Sequence, residues 1–464
     1  MSSEPQTLEP PLERGQPPGS EATSPHPTIA ILARWMLKLF YGSLEVRGLD
    51  QVPTGRPLVL AANHVNSLVD GALLLACMPS PPRLLGTSEL WNMPILKPFL
   101  AWAAAIPVYR RNVKGFDPSK NQDTFARCHE VLAAGGHIGI LPEGTSHNEP
   151  ALVRIRTGVS RIVLEAEAKF GPLGTRIVPV GFTFEDRTEF RSAALVQIGE
   201  PIDPVVEMAD YREQPREAVK ALTERVRQAL ESLTLNFRSW EDVDLIERAA
   251  EIYQRPSSGS PPLSGRVEMR RAFITGYAAL QAERPAEVEP VAKAVRRYDA
   301  LLREHRLTDA QIAATYPPDE VLRFTLRSLW LLLVRLPLGL AGMVLHWLPF
   351  QAASLAAKKL SGTPDRLATY KILGSMVFYL VTWVATAMAA GWLWGWPAAL
   401  LALVLAPASG GVALRLYLRG RLFWNRARGF FLMRSRKPFI AELRRLRGEA
   451  ERAIEELVAV YERR

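Results

Sequence analysis

The chain has 464 residues, a formal net charge of +10 and two cysteines, Cys77 and Cys128. This length allows two or three domains with a large core. Two isolated cysteines among apolar neighbours exclude a small disulfide-stapled domain. A basic chain attracts phosphate-bearing partners, which include nucleic acids, anionic lipids and phosphorylated substrates. The position of the positive charges along the chain must decide among these classes.

Two segments precede the regular part of the sequence. Residues 1–26 are polar and rich in proline, which predicts a disordered tail. Residues 27–42 mix apolar residues with two basic ones, which predicts an amphipathic helix that is too short and too charged to span a bilayer. Two interpretations of this helix remain open. It lies in a membrane interface, with Trp35 and Tyr41 at headgroup depth, or it packs as the first helix of the domain.

Strand-like and helix-like runs alternate between residues 43 and 235, which predicts an α/β domain with a mixed sheet flanked by helices. The predicted strands are 44–47, 57–62, 83–87, 105–109, 137–141, 176–183 and 195–198. The predicted helices are 70–78, 92–104, 120–134, 155–170 and 213–233. In such a domain, polar groups at strand ends are the natural place for a functional site.

Residues 236–324 are mostly charged and helical in pattern, with a proline- and serine-rich interruption at 256–262. This composition predicts a helical insert with one flexible loop. We interpret the insert as a linker without a function of its own.

The character of the chain changes after residue 325, where a membrane region is predicted up to residue 418. Residues 372–394 contain no charge and are long enough to span a bilayer, and a second uncharged run continues to about residue 414. These runs predict a helical hairpin with a tryptophan-rich turn at the far interface. Residues 326–350 are interpreted as re-entrant or interfacial because basic residues flank both ends, with an ordinary third span as the alternative.

The basic residues lie on both flanks of the predicted hairpin, which places its two ends on the cytoplasmic side and its turn outside. Residues 419–464 form a predicted basic cytoplasmic helical tail. We therefore expect a membrane protein with its α/β domain on the cytoplasmic face, of the inner or plasma membrane if the cell is bacterial. Since these basic residues adjoin a predicted membrane segment, we expect membrane lipids as partners, and we do not expect nucleic acid.

Four polar blocks follow strand-like runs in the α/β region. Histidine is the side chain best suited to accept a proton near neutral pH, and a neighbouring carboxylate can hold its ring in the useful tautomer. Each block alone is a weak signal, and their order and spacing together are more specific. The blocks are Asn63-His64 with Asp70, Tyr109-Arg110-Arg111, Pro142-Glu143-Gly144-Thr145 and Val178-Pro179-Val180-Gly181.

In this order the blocks resemble the glycerolipid acyltransferase family over roughly residues 45–235. The usual family pattern has four residues between the histidine and the aspartate, and here five intervene between His64 and Asp70. The longer spacing is similar to the branch of glycerol-3-phosphate and dihydroxyacetone-phosphate acyltransferases. The third block, extended through His147 and followed by Arg156-Thr157-Gly158, is similar to that branch as well.

The resemblance implies roles for these residues. His64 would be the general base for the acceptor hydroxyl, and Asp70 would orient its ring and stabilise the imidazolium. Arg110 and Arg111 would hold the acceptor phosphate, because guanidinium groups match phosphate oxygens. His147 is interpreted as a surface loop histidine. The other implied substrate-binding residues are Asn63, Glu143, Gly144, Thr145 and Arg156 around the acceptor, and Val180 and Gly181 on the acyl side.

The implied function is a membrane-bound O-acyltransferase of phospholipid biosynthesis. It would use acyl-CoA or an acyl carrier protein thioester as cosubstrate, and glycerol-3-phosphate or dihydroxyacetone phosphate as acceptor, without a cofactor. One alternative is the acylation of lysophosphatidate, and another is a catalytically silent lipid-binding membrane protein. We expect no metal, because the close histidine spacing of zinc sites is absent around His64, Asp70, Glu143 and His147.

Overall fold

A computed structural model gives the fold of the protein, and it describes residues 25–94, 96–109, 118–254, 261–313, 318–362, 364–435 and 437–463. The predicted tail lies almost entirely outside these ranges, as does most of the predicted loop at 256–262.

A seven-stranded sheet forms the centre of the N-terminal half, in the order β1-β7-β6-β2-β5-β3-β4. Strands β6, β2, β5, β3 and β4 are parallel, β7 is antiparallel to β6, and β1 is parallel to β7. The predicted mixed sheet is confirmed, with each predicted strand within two residues of an observed one. The strands are β1 (Ser43–Arg47), β2 (Leu58–Ala62), β3 (Arg83–Thr87), β4 (Ile106–Val108), β5 (His137–Ile140), β6 (Arg176–Phe184) and β7 (Ala193–Ile198).

Helices cover both faces of this sheet. The sequence of the central strand β2 is an unbroken apolar run because both faces of the strand are buried. Leu58, Leu60 and Ala62 face α1 and α2, while Val59 and Ala61 face α4, α5 and α7. The helices of this half are α1 (Pro27–Phe40), α2 (Leu68–Cys77), α3 (Lys97–Trp102), α4 (Pro118–Ala133), α5 (Gly158–Phe170), α6 (Val205–Tyr211) and α7 (Pro215–Leu233).

Helix α1 is apolar on two opposite faces. One face packs into the sheet core through Ile29, Ala33, Leu37 and Phe40. The other face leaves large apolar side chains exposed, spaced four residues apart, and these are Ile31, Trp35 and Leu39. The helix is therefore part of the domain and also presents an apolar stripe outward, so that the two interpretations of the sequence are compatible.

The second half of the chain is helical in the part that the structure describes. Its helices are α8 (Trp240–Tyr253), α9 (Leu263–Glu283), α10 (Pro285–Glu304), α11 (Asp309–Ala313), α12 (Pro318–Leu360), α13 (Pro364–Trp394), α14 (Trp396–Ser435) and α15 (Lys437–Glu462).

Helices α8, α10, α11 and α15 share an apolar core of their own. A buried polar network lies inside it. Arg447 on α15 donates to Asp309 at 3.0 Å, and the hydroxyl of Tyr298 donates to the same carboxylate at 2.7 Å. The interpretation of residues 236–324 as a linker is wrong, because this region forms a packed helical unit with the C-terminal helix.

Three helical stretches are long and apolar enough to cross a membrane, namely Gly339–Leu360, Arg366–Trp394 and Trp396–Gly420. The segment 326–350 lies within the continuous helix α12, which makes no turn back there and so favours the spanning alternative over a re-entrant one.

His346 joins two of these helices. Its Nδ1–H donates to the carbonyl of Gly342 at 2.8 Å, and Trp383 Nε1–H donates to its Nε2 at 2.9 Å.

We predict that Gly181→Ala destabilises the fold by about 1–3 kcal/mol, because the new side chain overpacks a filled site. A Cβ at Gly181 would lie 2.6 Å from the carbonyl oxygen of Leu233 at the end of α7. The matched control is Gly265→Ala on α9, where a Cβ would meet nothing within 4 Å. Thermal denaturation midpoints in detergent compare the two variants, and equal midpoints would contradict this account of the β6–α7 contact.

Candidate active site

Three loops meet at one edge of the sheet because β6, β2 and β5 are neighbouring parallel strands. His64 follows the carboxyl end of β2, Glu143 follows that of β5, and Arg187 follows that of β6. The site is thus assembled from distant parts of the chain by strand order alone.

The centre of the site is a hydrogen bond between His64 Nδ1 and Asp70 Oδ2 at 2.9 Å. Asp70 lies in the first turn of α2 and is fully buried, whereas the His64 side chain is 13% exposed. The carboxylate fixes the ring proton on Nδ1, which leaves the lone pair on Nε2. No described residue forms a hydrogen bond to Nε2, so that this nitrogen can accept a proton from a ligand.

Burial raises the pKa of Asp70, while hydrogen bonds from His64 and from the Asn66 backbone N–H oppose this rise. The Asn66 N–H lies 2.7 Å from the same oxygen, Oδ2. The other oxygen, Oδ1, has no hydrogen-bond partner among the described residues. Since the buried carboxylate is under-solvated, a positive charge forming on His64 would be stabilised strongly by it.

The five-residue spacing is accommodated by a turn at Ser67. This residue has φ +50° and ψ −124°, a region that residues with a side chain rarely adopt. Helix α2 begins at the next residue, Leu68, and its first turn carries Asp70 back to His64. The histidine–aspartate contact is thus made across five intervening residues, one of which, Ser67, has a strained backbone.

Glu143 joins the loop after β5 to the loop after β2 through hydrogen bonds. Its Oε1 accepts the His64 backbone N–H at 2.5 Å, and its Oε2 accepts a hydrogen bond from His147 Nε2 and another from the Val153 N–H at 3.3 Å. His147 Nδ1 accepts the Glu149 N–H at 3.1 Å, which fixes the proton on Nε2. The described partners of both Glu143 carboxylate oxygens thus come from the protein itself, and none of them is an arginine. The interpretation of His147 as a surface histidine is wrong, since its side chain is 11% exposed and holds Glu143.

Asn63 has a structural role in this arrangement. Its side chain accepts the Phe182 N–H at 2.6 Å and donates to the Phe182 carbonyl at 3.1 Å. This pair of bonds joins the end of β2 to β6 in the buried core. The prediction that Asn63 binds substrate is not supported, because both polar ends of its amide are used.

Gly144, Thr145 and Arg156 lie in the segment between β5 and α5. Gly144 has φ +74°, and a Cβ there would lie 2.6 Å from Arg156 Nε. The Arg156 side chain therefore covers the glycine backbone. Arg156 and Thr145 are exposed, and the guanidinium makes no ion pair with a described residue. A cation is thus available beside the loop that follows β5.

Four predicted site residues remain, namely Arg110, Arg111, Val180 and Gly181. Arg110 and Arg111 lie outside the described residues, although Tyr109 before them is held at the end of β4 by Asn121. Val180 is fully buried in the core and Gly181 is buried against α7. The prediction that these two residues line an acyl groove is wrong for this conformation, because neither reaches a surface.

Arg187 was missed by the sequence reasoning. Its guanidinium donates to the carbonyl of Val65 at 2.9 Å and to that of His147 at 3.3 Å, and also to Asn148 Oδ1. It thereby connects all three loops of the site. The signal in the sequence is only a cation three residues after a buried strand.

In the described ranges, no group of three or more histidine, cysteine, aspartate or glutamate side chains is placed to hold a metal ion.

Two family models match the chain. The model described as "Acyltransferase" matches residues 43–183, and the model described as "Glycerol-3-phosphate acyltransferase 2 C-terminal domain" matches residues 245–462. The first covers the dyad and strands β1 to β6 as far as residue 183, and the second covers most of the helical unit, the apolar helices and α15.

Several proteins are similar to parts of this chain. Glycerol-3-phosphate O-acyltransferase 2 of Saccharomyces cerevisiae is 31% identical over 202 residues, which is 43% of this chain and 27% of that protein. Glycerol-3-phosphate O-acyltransferase 1 of the same yeast is 31% identical over 188 residues, which is 40% of this chain and 24% of that protein. The chain thus spans about a quarter of the length of these relatives.

Weaker similarity extends to other acyltransferases. Human 1-acyl-sn-glycerol-3-phosphate acyltransferase alpha is 26% identical over 147 residues, which is 30% of this chain and 47% of that protein. The crystal structure of the 1-acyl-sn-glycerophosphate acyltransferase of Thermotoga maritima matches with 20% identity and a TM-score of 0.33, over 43% of this chain and 78% of that one.

We predict that Ser67→Gly stabilises the protein by about 1 kcal/mol, since glycine adopts this backbone conformation without strain. The control is Ser232→Gly in α7, which should destabilise by about 0.5 kcal/mol because glycine is a poor helix former. Denaturation midpoints measure both variants. A lower midpoint for Ser67→Gly would contradict the assignment of strain to this turn.

We also predict that Glu143→Ala destabilises the protein by about 1.5–3 kcal/mol, because buried charged hydrogen bonds are lost. His147→Ala should cost less, and the double variant should be no less stable than Glu143→Ala alone, since both substitutions remove one interaction. Denaturation of the three variants tests this. Additive losses would show that the two side chains act independently.

Proposed function

We propose that this member of the glycerolipid acyltransferase family transfers a fatty acyl group from a thioester to the hydroxyl of glycerol-3-phosphate. The observation that carries this proposal is the 2.9 Å contact of His64 Nδ1 with the buried Asp70, which leaves Nε2 without a hydrogen-bond partner among the described residues. The similarity to the two yeast glycerol-3-phosphate O-acyltransferases supports the choice of acceptor.

The dyad supplies a base and no nucleophile of its own. The acceptor hydroxyl donates its proton to His64 Nε2 while its oxygen attacks the thioester carbonyl carbon. Asp70 stabilises the resulting imidazolium through Nδ1. The tetrahedral intermediate then collapses, the carbon–sulfur bond breaks, and the leaving thiolate takes the proton back from Nε2. The products are the acyl ester and the free thiol, and His64 returns to its starting state.

The phosphate of the acceptor requires a cation near this histidine. Arg156 is an exposed cation beside Gly144, and a guanidinium matches phosphate oxygens well. We propose Arg156 for this role together with Arg110 and Arg111, which the sequence pattern favours. The donor is acyl-CoA or an acyl carrier protein thioester. The basic chain suits both of these acidic carriers, and we propose that no cofactor is needed.

The apolar helices favour a membrane location for the enzyme. Three helices are long and apolar enough to span, and the exposed stripe of α1 adds apolar surface on the catalytic domain. We propose that this domain lies at the cytoplasmic face, because basic residues flank both ends of the hairpin. A lipid product would then be released directly into the bilayer.

The test uses the purified full-length chain in lipid–detergent micelles with radiolabelled acyl-CoA or acyl carrier protein thioester. Glycerol-3-phosphate, dihydroxyacetone phosphate and lysophosphatidate are offered in parallel, and labelled lipid products are separated. We expect glycerol-3-phosphate to give the highest kcat/KM. A clear preference for lysophosphatidate would replace our choice of acceptor, and no transfer to any acceptor would refute the proposed activity.

We predict that His64→Ala lowers kcat by about 10²–10⁴, the usual contribution of a positioned general base. Asp70→Asn should lower it comparably, because the amide no longer holds the proton on Nδ1. The control is His305→Ala, whose ring packs on Phe439 in the helical unit. That variant should keep its activity. Unchanged transfer by His64→Ala would falsify the dyad mechanism, and it would favour a role in lipid binding.

A further inference from the structure

The loop between β6 and β7, residues 185–192, contacts the catalytic loops and two helices outside them. Toward the site, Arg187 donates to the carbonyl of Val65, the residue directly after the proposed base, at 2.9 Å. It also donates to the His147 carbonyl at 3.3 Å and to Asn148 Oδ1. A single half-buried guanidinium therefore bonds to the loop after β2 and the loop after β5.

The same loop is held by the first apolar helix of the hairpin. Lys371 Nζ on α13 donates to the carbonyl of Thr188 at 2.5 Å, one residue beyond Arg187. Ala368 and Ile372, on either side of Lys371, are buried in the core that contains α1, α2 and the sheet. The start of α13 is thus packed against the catalytic domain at this loop.

Internal hydrogen bonds make the loop stiff. Asp186 Oδ1 accepts the N–H of Thr188 at 2.8 Å, its hydroxyl at 2.8 Å and the N–H of Glu189 at 3.0 Å. Although burial raises the pKa of Asp186, these hydrogen bonds hold it below its usual range, so that the acceptor stays ionised. Thr188, whose carbonyl accepts from α13, and Arg187 therefore lie in one hydrogen-bonded turn.

The loop carries a second arginine, Arg191, which bonds to the end of α1. Arg191 donates to the carbonyl of Lys38 at 3.0 Å and to that of Tyr41 at 3.4 Å, and its N–H donates to the Phe40 carbonyl at 2.7 Å. These acceptors lie at the end of α1. Arg191 anchors the loop to the domain without contacting the loops after β2 and β5.

We propose that Arg187 is a positioning residue for the acyl transfer, and that the 185–192 loop couples helix α13 to the catalytic loops. The inference rests on the proposed function and goes beyond it, since Arg187 need not touch substrate. The loop that carries His64 contains the strained turn at Ser67 and is fixed on its other side by Glu143. Arg187 is the group that holds its Val65 carbonyl. We expect lysine to be a poor replacement, because its single ammonium nitrogen lacks the two separated nitrogens of the guanidinium fork, Nη1 and Nη2, that make these bonds.

The first test compares Arg187→Ala and Arg187→Lys with the matched control Arg191→Ala. We expect Arg187→Ala to lower kcat by about 10- to 100-fold, the effect of losing hydrogen bonds from a charged donor, with KM for glycerol-3-phosphate changed less than about threefold. Arg187→Lys should recover little of this loss. Arg191→Ala should lower the denaturation midpoint and keep kcat within about twofold. Equal kcat in all three variants would overturn the proposal, and so would a loss confined to KM.

The second test examines the link to α13. Lys371→Met should lower kcat by about 3- to 10-fold, and in combination with Arg187→Ala it should lower kcat no further, because both act through one loop. Lys359→Met, at an exposed lysine before the hairpin, is the control and should leave kcat unchanged. Additive losses in the double variant would show that Lys371 acts by another route and would overturn the coupling.

Amide hydrogen exchange separates this proposal from the proposed activity, because it needs no substrate. In the full-length chain in detergent, Arg187→Ala should speed exchange of the peptides covering 64–70 and 144–149, and Arg191→Ala should not. If the wild-type chain transferred no acyl group but showed this exchange pattern, the proposed function would fail and the positioning of the loops by Arg187 would stand. Unchanged exchange in Arg187→Ala would overturn the positioning role directly.

Discussion

The structure of the site depends on one buried carboxylate. Asp70 has no exposed surface, and one of its oxygens receives both His64 Nδ1 and the Asn66 N–H. An ionised group in such a position is unstable unless it is hydrogen-bonded or paired, so that the fold must deliver the histidine to it. The strained turn at Ser67 follows from this constraint. The strain is tolerated because it closes the distance between β2 and α2 and completes the dyad.

The three loops around the dyad are fixed by hydrogen bonds to main-chain groups. Glu143 holds the N–H of His64, and Arg187 holds the carbonyl of Val65. Asn63 joins β2 to the backbone of Phe182 on β6. Each bond connects elements that are far apart in sequence. A rigid support of this kind holds a base at one position without requiring reorganisation during the reaction.

The sheet could be predicted from the sequence because buried parallel strands are continuous apolar runs, as in residues 57–62. His64 and Asp70 could be found because their residue types and spacing define a chemical role. The roles of Glu143 and His147 could not, since a pattern does not show where a side chain points. The role of Arg187 could not be predicted, because its acceptors are mostly backbone carbonyls and these leave no pattern in a sequence. The packing of residues 236–313 could not be predicted either, because the helix on which they pack, α15, lies more than 100 residues later in the chain.

The position of α13 links the catalytic domain to the apolar helices more closely than a tether would. Ala368 and Ile372 belong to the same core as α1 and α2, and Lys371 between them bonds to the loop that carries Arg187. The exposed stripe of Ile31, Trp35 and Leu39 on α1 adjoins this layer of the domain. Because a packed core moves as a unit, the catalytic loops take their orientation from the same elements that would meet a bilayer. His64 is therefore held in a fixed relation to the apolar surfaces of α1 and α13.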